Sequence, residues 1–474
     1  MSFTSRLFKF VAARSPSRAA TMTKHYSTAP SVLYTKIDKR PPEVVRSHGN
    51  YLETSDGRPI FDASGGAAVA CLGHNEPRVK QAIVDQLDQT AYIYSPFFTV
   101  PAAEEVATYL TDSTNGAMSK VFIVSSGAEA IEAALKMARQ YFTELPEPQM
   151  QRTKFIARRQ SYHGNTLGAL AAGGHKARRA IFEPILATNT SHVSPCYPYR
   201  GKKVGESDEE YVALLAAELE HEFQQAGPGN VCAFLAETMC GTTLGCVPAV
   251  PGYFKAMKEV CDRHGALLIM DEVMSGIGRT GTFHAWEQEG VVPDLQTIAK
   301  GLGAGYAPVG ALLVGSRVAD TLAKGTGSFT HSQTYQGHPI ACATACAVQK
   351  IIKEDNLLDN VRVQGEYLGQ LLNERLAGHK NVGDVRGRGL FWALEFVKDK
   401  TTKEPFPVEA GIAQKVHLTG LQKEHSVSVI PGVGVADGRN GDIIQIAPAY
   451  NVSRADIEEI VKRVEGVVKA VFGE

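Results

Sequence analysis

Between residues 120 and 315, short apolar runs alternate with longer segments that are apolar on one face only. Strands of a parallel sheet, buried on both faces, read as near-continuous apolar runs, and the helices crossing between them show a period near 3.6. The pattern therefore predicts crossover units around a mostly parallel sheet. Six strands are expected, over 121–124, 154–157, 232–236, 266–270, 295–299 and 309–314. Before the fourth, the segment 251–264 places Phe254, Met257 and Cys261 at helical spacing and is closed by Gly265. Beyond His338-Pro339, a helical stretch to about Ala377 leads to a Gly-rich strand over 385–396. A Gly-rich loop over 431–441, another strand and a final helix complete a separate carboxy-terminal lobe.

Composition narrows the class. A chain of 474 residues exceeds one ordinary compact domain and suits a large α/β domain with a smaller companion. Lys and Arg number 49 against 50 Asp and Glu, so no global field attracts nucleic acid or anionic membrane. Nor does any run of roughly 18 apolar residues suggest a membrane span. These features point to small-molecule chemistry. Eight cysteines lie scattered without CxxC or Cys/His ligand spacing, which argues for buried thiols in a reducing compartment rather than a metal site or a disulfide framework.

The amino terminus differs from the rest. Residues 1–37 lack any acid, while Arg6, Lys9, Arg14, Arg18 and Lys24 alternate with serines and with Phe3, Leu7, Phe10 and Val11. That is the make-up of a mitochondrial transit peptide, with Lys24-His25-Tyr26-Ser27 resembling a matrix-protease site that cuts after Tyr26. The same composition also fits a disordered basic tail, and a second start at Met22 would give a cytoplasmic form.

Three charged residues end predicted strands: Glu237, Asp271 and Lys300. Open parallel sheets bind ligands beyond the carboxyl ends of their strands, although one such charge alone equally suits a solvated edge. Lys300 runs into Gly301-Leu302-Gly303-Ala304-Gly305, a turn that lets a planar group approach the backbone closely. A crowded, desolvated lysine loses its charge readily and becomes an amine nucleophile suited to Schiff-base chemistry. Asp271 is the candidate partner for a pyridine nitrogen. The glycines lack the GxxxxGK[ST] order of a nucleotide loop. A phosphate site is offered by Ser125-Ser126-Gly127-Ala128-Glu129, where Ser126 and Glu129 form a capping box ahead of Ile131, Leu135, Ala138 and Phe142. Backbone N–H groups at such a helix start attract anions, and the same motif also describes an ordinary capped crossover helix.

Taken in order, these residues resemble the class-III pyridoxal-phosphate-dependent aminotransferases. The matching stretches are Ser125 to Ala130, Ser161-Tyr162-His163-Gly164, Leu268 to Val273, Gly278-Arg279-Thr280-Gly281, Pro293-Asp294 through Leu302, and Thr334-Tyr335-Gln336-Gly337-His338-Pro339. The resemblance implies fold type I, with a mostly parallel central sheet in a large domain and a smaller α+β domain. With the amino-terminal composition, the expected division is a transit peptide or tail (1–30), a segment contributing to the small domain (31–95), a large cofactor-binding domain (96–340) and a carboxy-terminal small domain (341–474).

For the site, the resemblance implies that Lys300 holds pyridoxal 5'-phosphate as a Schiff base and shuttles the proton. Asp271 would pair with the pyridinium, and Val273 and Tyr162 would cover the two ring faces. Ser126, Gly127 and Ala128 would cradle the phosphate. Glu237 would lie close to the cofactor, and Thr334 would reach the phosphate of a neighbouring subunit, making a homodimer with shared sites. His163 would be a packing or supporting residue. No metal is implied. The implied reaction moves an amino group from an amine to an oxo acid or aldehyde in two half-reactions. An aminomutase, racemase, decarboxylase or phospholyase on the same scaffold is the alternative, and a nicotinamide oxidoreductase or non-catalytic binding protein the remoter one.

The chain departs from the family at the substrate end. Met274 stands where many members have Gln, and Gln445 stands where ornithine-type members have an Arg. Gln replaces neither the charge nor the fork of a guanidinium. Arg439, Arg386 and Arg388 are the candidates to take over, each also suited to a structural place.

Overall fold

The computed structural model describes residues 30–37 and 39–474, so the expected transit peptide lies outside the described residues. The chain forms two units, Met1–Glu43 and Val44–Glu474, and every helix and strand among the described residues belongs to the second.

The main sheet has seven strands. In spatial order they are Met118–Val124, Gly310–Gly315, Leu295–Ile298, Leu267–Asp271, Val231–Glu237, Lys154–Arg158 and Thr190–Val193. Neighbours run parallel except at Gly310–Gly315, which is antiparallel to both flanking strands. Successive side chains of a strand point to opposite faces. Thus Phe234, Leu268 and Met270 pack with the helices Asp208–Ala226 and Tyr253–Arg263, while Leu235, Leu267 and Ile269 pack with Gly127–Thr143. Burying each such side chain stabilises by roughly 1.5–3 kcal/mol. Both faces are covered, which is why these strands read as unbroken apolar runs. The fold is the mixed α/β architecture expected, with a parallel-rich sheet at its centre.

All six expected strands are present, with ends shifted by up to three residues. The seventh, Thr190–Val193, escaped the pattern because it is an edge strand in which only Val193 is buried. The helical stretch after His338 is two helices, Pro339–Glu354 and Leu357–Leu376, broken where Asn356 takes a left-handed φ of 50°. The Gly-rich strand over 385–396 is a hairpin of Val382–Arg388 and Phe391–Asp399, turned at Gly389 with φ 57°. A Cβ at Gly389 would fall 2.7 Å from the Arg279 carbonyl oxygen, so the turn requires glycine for space as well as for conformation.

The hairpin continues into Asp442–Ile446 and Ile430–Val433 as an antiparallel sheet. A further sheet joins Val44–His48, Tyr51–Thr54 and Pro59–Asp62 to Val427–Ser428, pairing the amino-terminal segment with the carboxy-terminal part of the chain. All eight cysteines are free, seven of them buried.

Candidate active site

The carboxyl ends of the central strands surround a cavity of about 470 Å³. Eight of the nine expected site residues line it: Ser126, Gly127, Ala128, Tyr162, Glu237, Asp271, Val273 and Lys300. Thr334 does not. It is exposed, its carbonyl taking the Tyr92 hydroxyl at 2.9 Å.

Glu237 and Asp271 end adjacent parallel strands as register partners, so both carboxylates leave the sheet on the same face. Asp271 Oδ1 accepts the Val273 N–H at 2.9 Å, and Oδ2 lies 2.7 Å from His163 Nδ1. A carboxylate only accepts, so Nδ1 of the fully buried His163 carries the hydrogen. Its Nε2 has no partner among the described residues. Glu237 accepts the Tyr162 N–H at 3.2 Å and the Gly241 N–H at 3.0 Å, fixing the start of the Tyr162 loop.

Lys300 follows the strand Leu295–Ile298 and takes a left-handed backbone, φ 46°. Such a conformation is strained for a residue with a Cβ and often marks a functional position. Burial pushes the ammonium down from 10.5 to about 8; Asp271 and Glu237 pull it back up, and Arg279 pushes it further down. Desolvation thus outweighs two carboxylates. At neutral pH roughly one such amine in ten is uncharged and nucleophilic.

The helix Gly127–Thr143 begins at the cavity wall. Ser126 Oγ accepts the Glu129 N–H at 3.2 Å, while the Glu129 carboxylate reaches the Ser125 N–H at 2.7 Å. The expected capping box is therefore closed one residue early. Amides at the first helical positions have no acceptor within the helix, so those of Gly127 and Ala128 remain for an anion at the positive end of the dipole. Gly127 also makes room for its neighbour: a Cβ there would lie 2.7 Å from Val273 Cγ1. A deep carboxylate, a nucleophilic amine, paired apolar and aromatic walls and a helix start together fit pyridoxal phosphate, and 470 Å³ leaves space for a small substrate beside it.

The cavity wall around Met274 is apolar. Met274 packs with Met239, Cys246 and Ala68, its Sδ 3.4 Å from Thr242 Oγ1 and close against Gly241. Gln445 is buried, with Nε2 3.5 Å from Cys246 Sγ, and does not line the cavity. Arg386 is held by Asp384 and Glu395 at 2.8 and 2.7 Å, Arg388 by Glu289 at 2.8 Å, and Arg439 by Glu409 at 2.7 Å. Each of the three candidate arginines thus has a carboxylate of its own, and none lines the cavity.

Sequence reasoning left two buried groups without a definite role. One is His163. The other is Glu272, whose carboxylate takes the Thr238 hydroxyl, the N–H groups of Ala285 and Trp286, and Gln296 Nε2, all within 2.7–2.9 Å. Burial still pushes Glu272 up from 4.5 to about 7. Its position one residue after Asp271 at a strand end was the available signal.

The family model Aminotransferase class-III matches residues 35–468. An aminotransferase of Gibberella zeae is 54% identical over 93% of this chain and 86% of its own length. A probable mitochondrial gamma-aminobutyrate transaminase of Oryza sativa is 33% identical over 91% of this chain and 83% of its own. Among solved structures, an amine transaminase from an uncultivated Pseudomonas species, in its PLP-bound form, superimposes with a TM-score of 0.85 at 31% identity, covering 94% of this chain and 99% of that one. The chain belongs to the class-III aminotransferases and is a PLP-dependent enzyme that moves amino groups between small amines and oxo compounds.

Proposed function

We propose that Lys300 and Asp271 carry this transfer. The observation behind the assignment is the position of Lys300: a strained, desolvated lysine at a strand end, in one cavity with the Asp271–His163 pair. Bound pyridoxal phosphate supplies the electron sink that allows a bond at the substrate's amino carbon to ionise. Lys300 Nζ would hold the cofactor at rest, and its free amine would carry the proton from the substrate's amino carbon to the cofactor carbon. Asp271 keeps a proton on the ring nitrogen, and His163 orients Asp271. Val273 and Tyr162 confine the ring, and the amides of Gly127 and Ala128 with Ser126 hold the phosphate. Borohydride reduction followed by peptide mapping should place the label on Lys300, and Lys300→Ala should abolish turnover in a folded protein. A label on another lysine, or full turnover in the variant, overturns the assignment.

The proposal extends to a homodimer in which Thr334 completes the partner's phosphate site. Its support is the aromatic surface around Thr334: Tyr92, Tyr94, Phe97, Phe98 and Tyr335 are all exposed in the single chain, more apolar surface in one region than a monomer usually leaves open. A dimer by sedimentation, dissociating on Phe97→Asp, is the expected result. The composition of residues 1–37 supports mitochondrial import with cleavage after Tyr26. Amino-terminal sequencing of the native protein tests it.

A further inference from the structure

We infer that Arg178 is the receptor for the substrate's carboxylate, a specificity residue resting on the Tyr162 wall of the cavity; the inference rests on the aminotransferase reading. An oxo-acid acceptor brings a carboxylate that a guanidinium recognises best. Glu237 and Asp271 line the inner cavity, and its lining ammonium, Lys300, is assigned to the cofactor, so that carboxylate is better received at the Tyr162 wall.

Arg178 and Arg179 are neighbours in the short helix Lys176–Arg179, yet their surroundings are opposite. Arg179 is locked, with Nε on Glu183 at 2.9 Å and Nη1 on the Ala171 and Gly173 carbonyls at 2.7 and 2.5 Å. Arg178 is exposed, and among the described residues no carboxylate or carbonyl engages its guanidinium. Its side chain rests on the Tyr162 ring, the guanidinium carbon 4.8 Å from the centroid. Tyr162 is a cavity wall, so the charge waits one aromatic ring away from the site.

The backbone beneath Arg178 is fixed. Its N–H donates to the His175 carbonyl at 3.1 Å, and Lys176 Nζ holds the Asp437 carbonyl at 3.2 Å. Burial, helped by Arg178, keeps His175 neutral down to about 4, so no second cation competes from that side chain. An exposed cation–π contact is weaker than a charge-assisted pair with a carboxylate. A carboxylate entering past Tyr162 therefore draws Arg178 off the ring.

The test compares pyruvate and 2-oxoglutarate with propanal as acceptors for one amine donor in the holoenzyme. Arg178→Ala should raise KM for the oxo acids about ten- to a hundredfold and leave kcat/KM for propanal within about twofold. Arg178→Lys should fall between, and Arg439→Ala should match the wild type. Equal losses on oxo acids and propanal, no loss on either, or the loss appearing in Arg439→Ala instead, would overturn the inference. Failure of the wild type with every acceptor would instead reject the underlying activity.

Discussion

His163 Nδ1 stands 2.7 Å from Asp271 Oδ2, and the two residues are 108 positions apart in the chain. The contact leaves Asp271 with a donor on each oxygen, since Val273 N–H occupies Oδ1. The carboxylate is thereby fixed before any ligand arrives, which is the preorganisation that electrostatic catalysis needs.

Asp271→Asn should lower kcat/KM on the order of a hundredfold or more, because an amide cannot accept from both neighbours and carries no charge toward a ring nitrogen. His163→Gln should cost about tenfold, acting through Asp271. Steady-state kinetics, with circular dichroism to confirm folding, checks both. A larger loss in His163→Gln than in Asp271→Asn would invert the assigned order.

The amine of Lys300 should titrate near 8 in the cofactor-free protein. The neutral amine is the nucleophile, so the rate of reconstitution with pyridoxal phosphate should rise with pH and level off above about 8. Stopped-flow absorbance reads it directly. A midpoint near the ordinary lysine value would show that burial does not govern this group.

Gly127→Ala should destabilise by about 1–3 kcal/mol, since its Cβ would meet the stiff, β-branched Val273 at 2.7 Å. Val273→Ala should relieve most of that cost in the double variant. A chemical-denaturation cycle measures the coupling, and additive effects would show that the contact is not responsible.

Glu272 has a folded-state value raised from 4.5 to about 7. An acid raised on folding contributes stability that is complete below its unfolded value and is lost as pH rises through the folded one. Glu272→Gln should therefore flatten the fall in stability between about pH 4.5 and about pH 7, as followed by thermal unfolding.

Much of the cavity lining was legible because its residues sit where apolar runs stop. Asp271 ends and Lys300 follows a strand buried on both faces, so the pattern located them to within a residue. What stayed hidden depends on contacts between distant segments. His163 acquires its partner only when the loop after Lys154–Arg158 folds beside Leu267–Asp271. The strand Thr190–Val193 is too polar to stand out, and the break at Asn356 has apolar periodicity on both sides. The different fates of Arg178 and Arg179 are set by tertiary neighbours that adjacent letters do not distinguish.

The interlock of Gly127 with Val273 has a counterpart one residue along the chain, where a Cβ on Gly241 would fall 2.5 Å from Met274 Sδ. The first obstacle is a rigid branch and the second is the swinging end of a thioether. Descendants of this enzyme can therefore redraw the wall at Met274 one substitution at a time, whereas the wall formed by Gly127 and Val273 must be inherited whole or rebuilt in pairs.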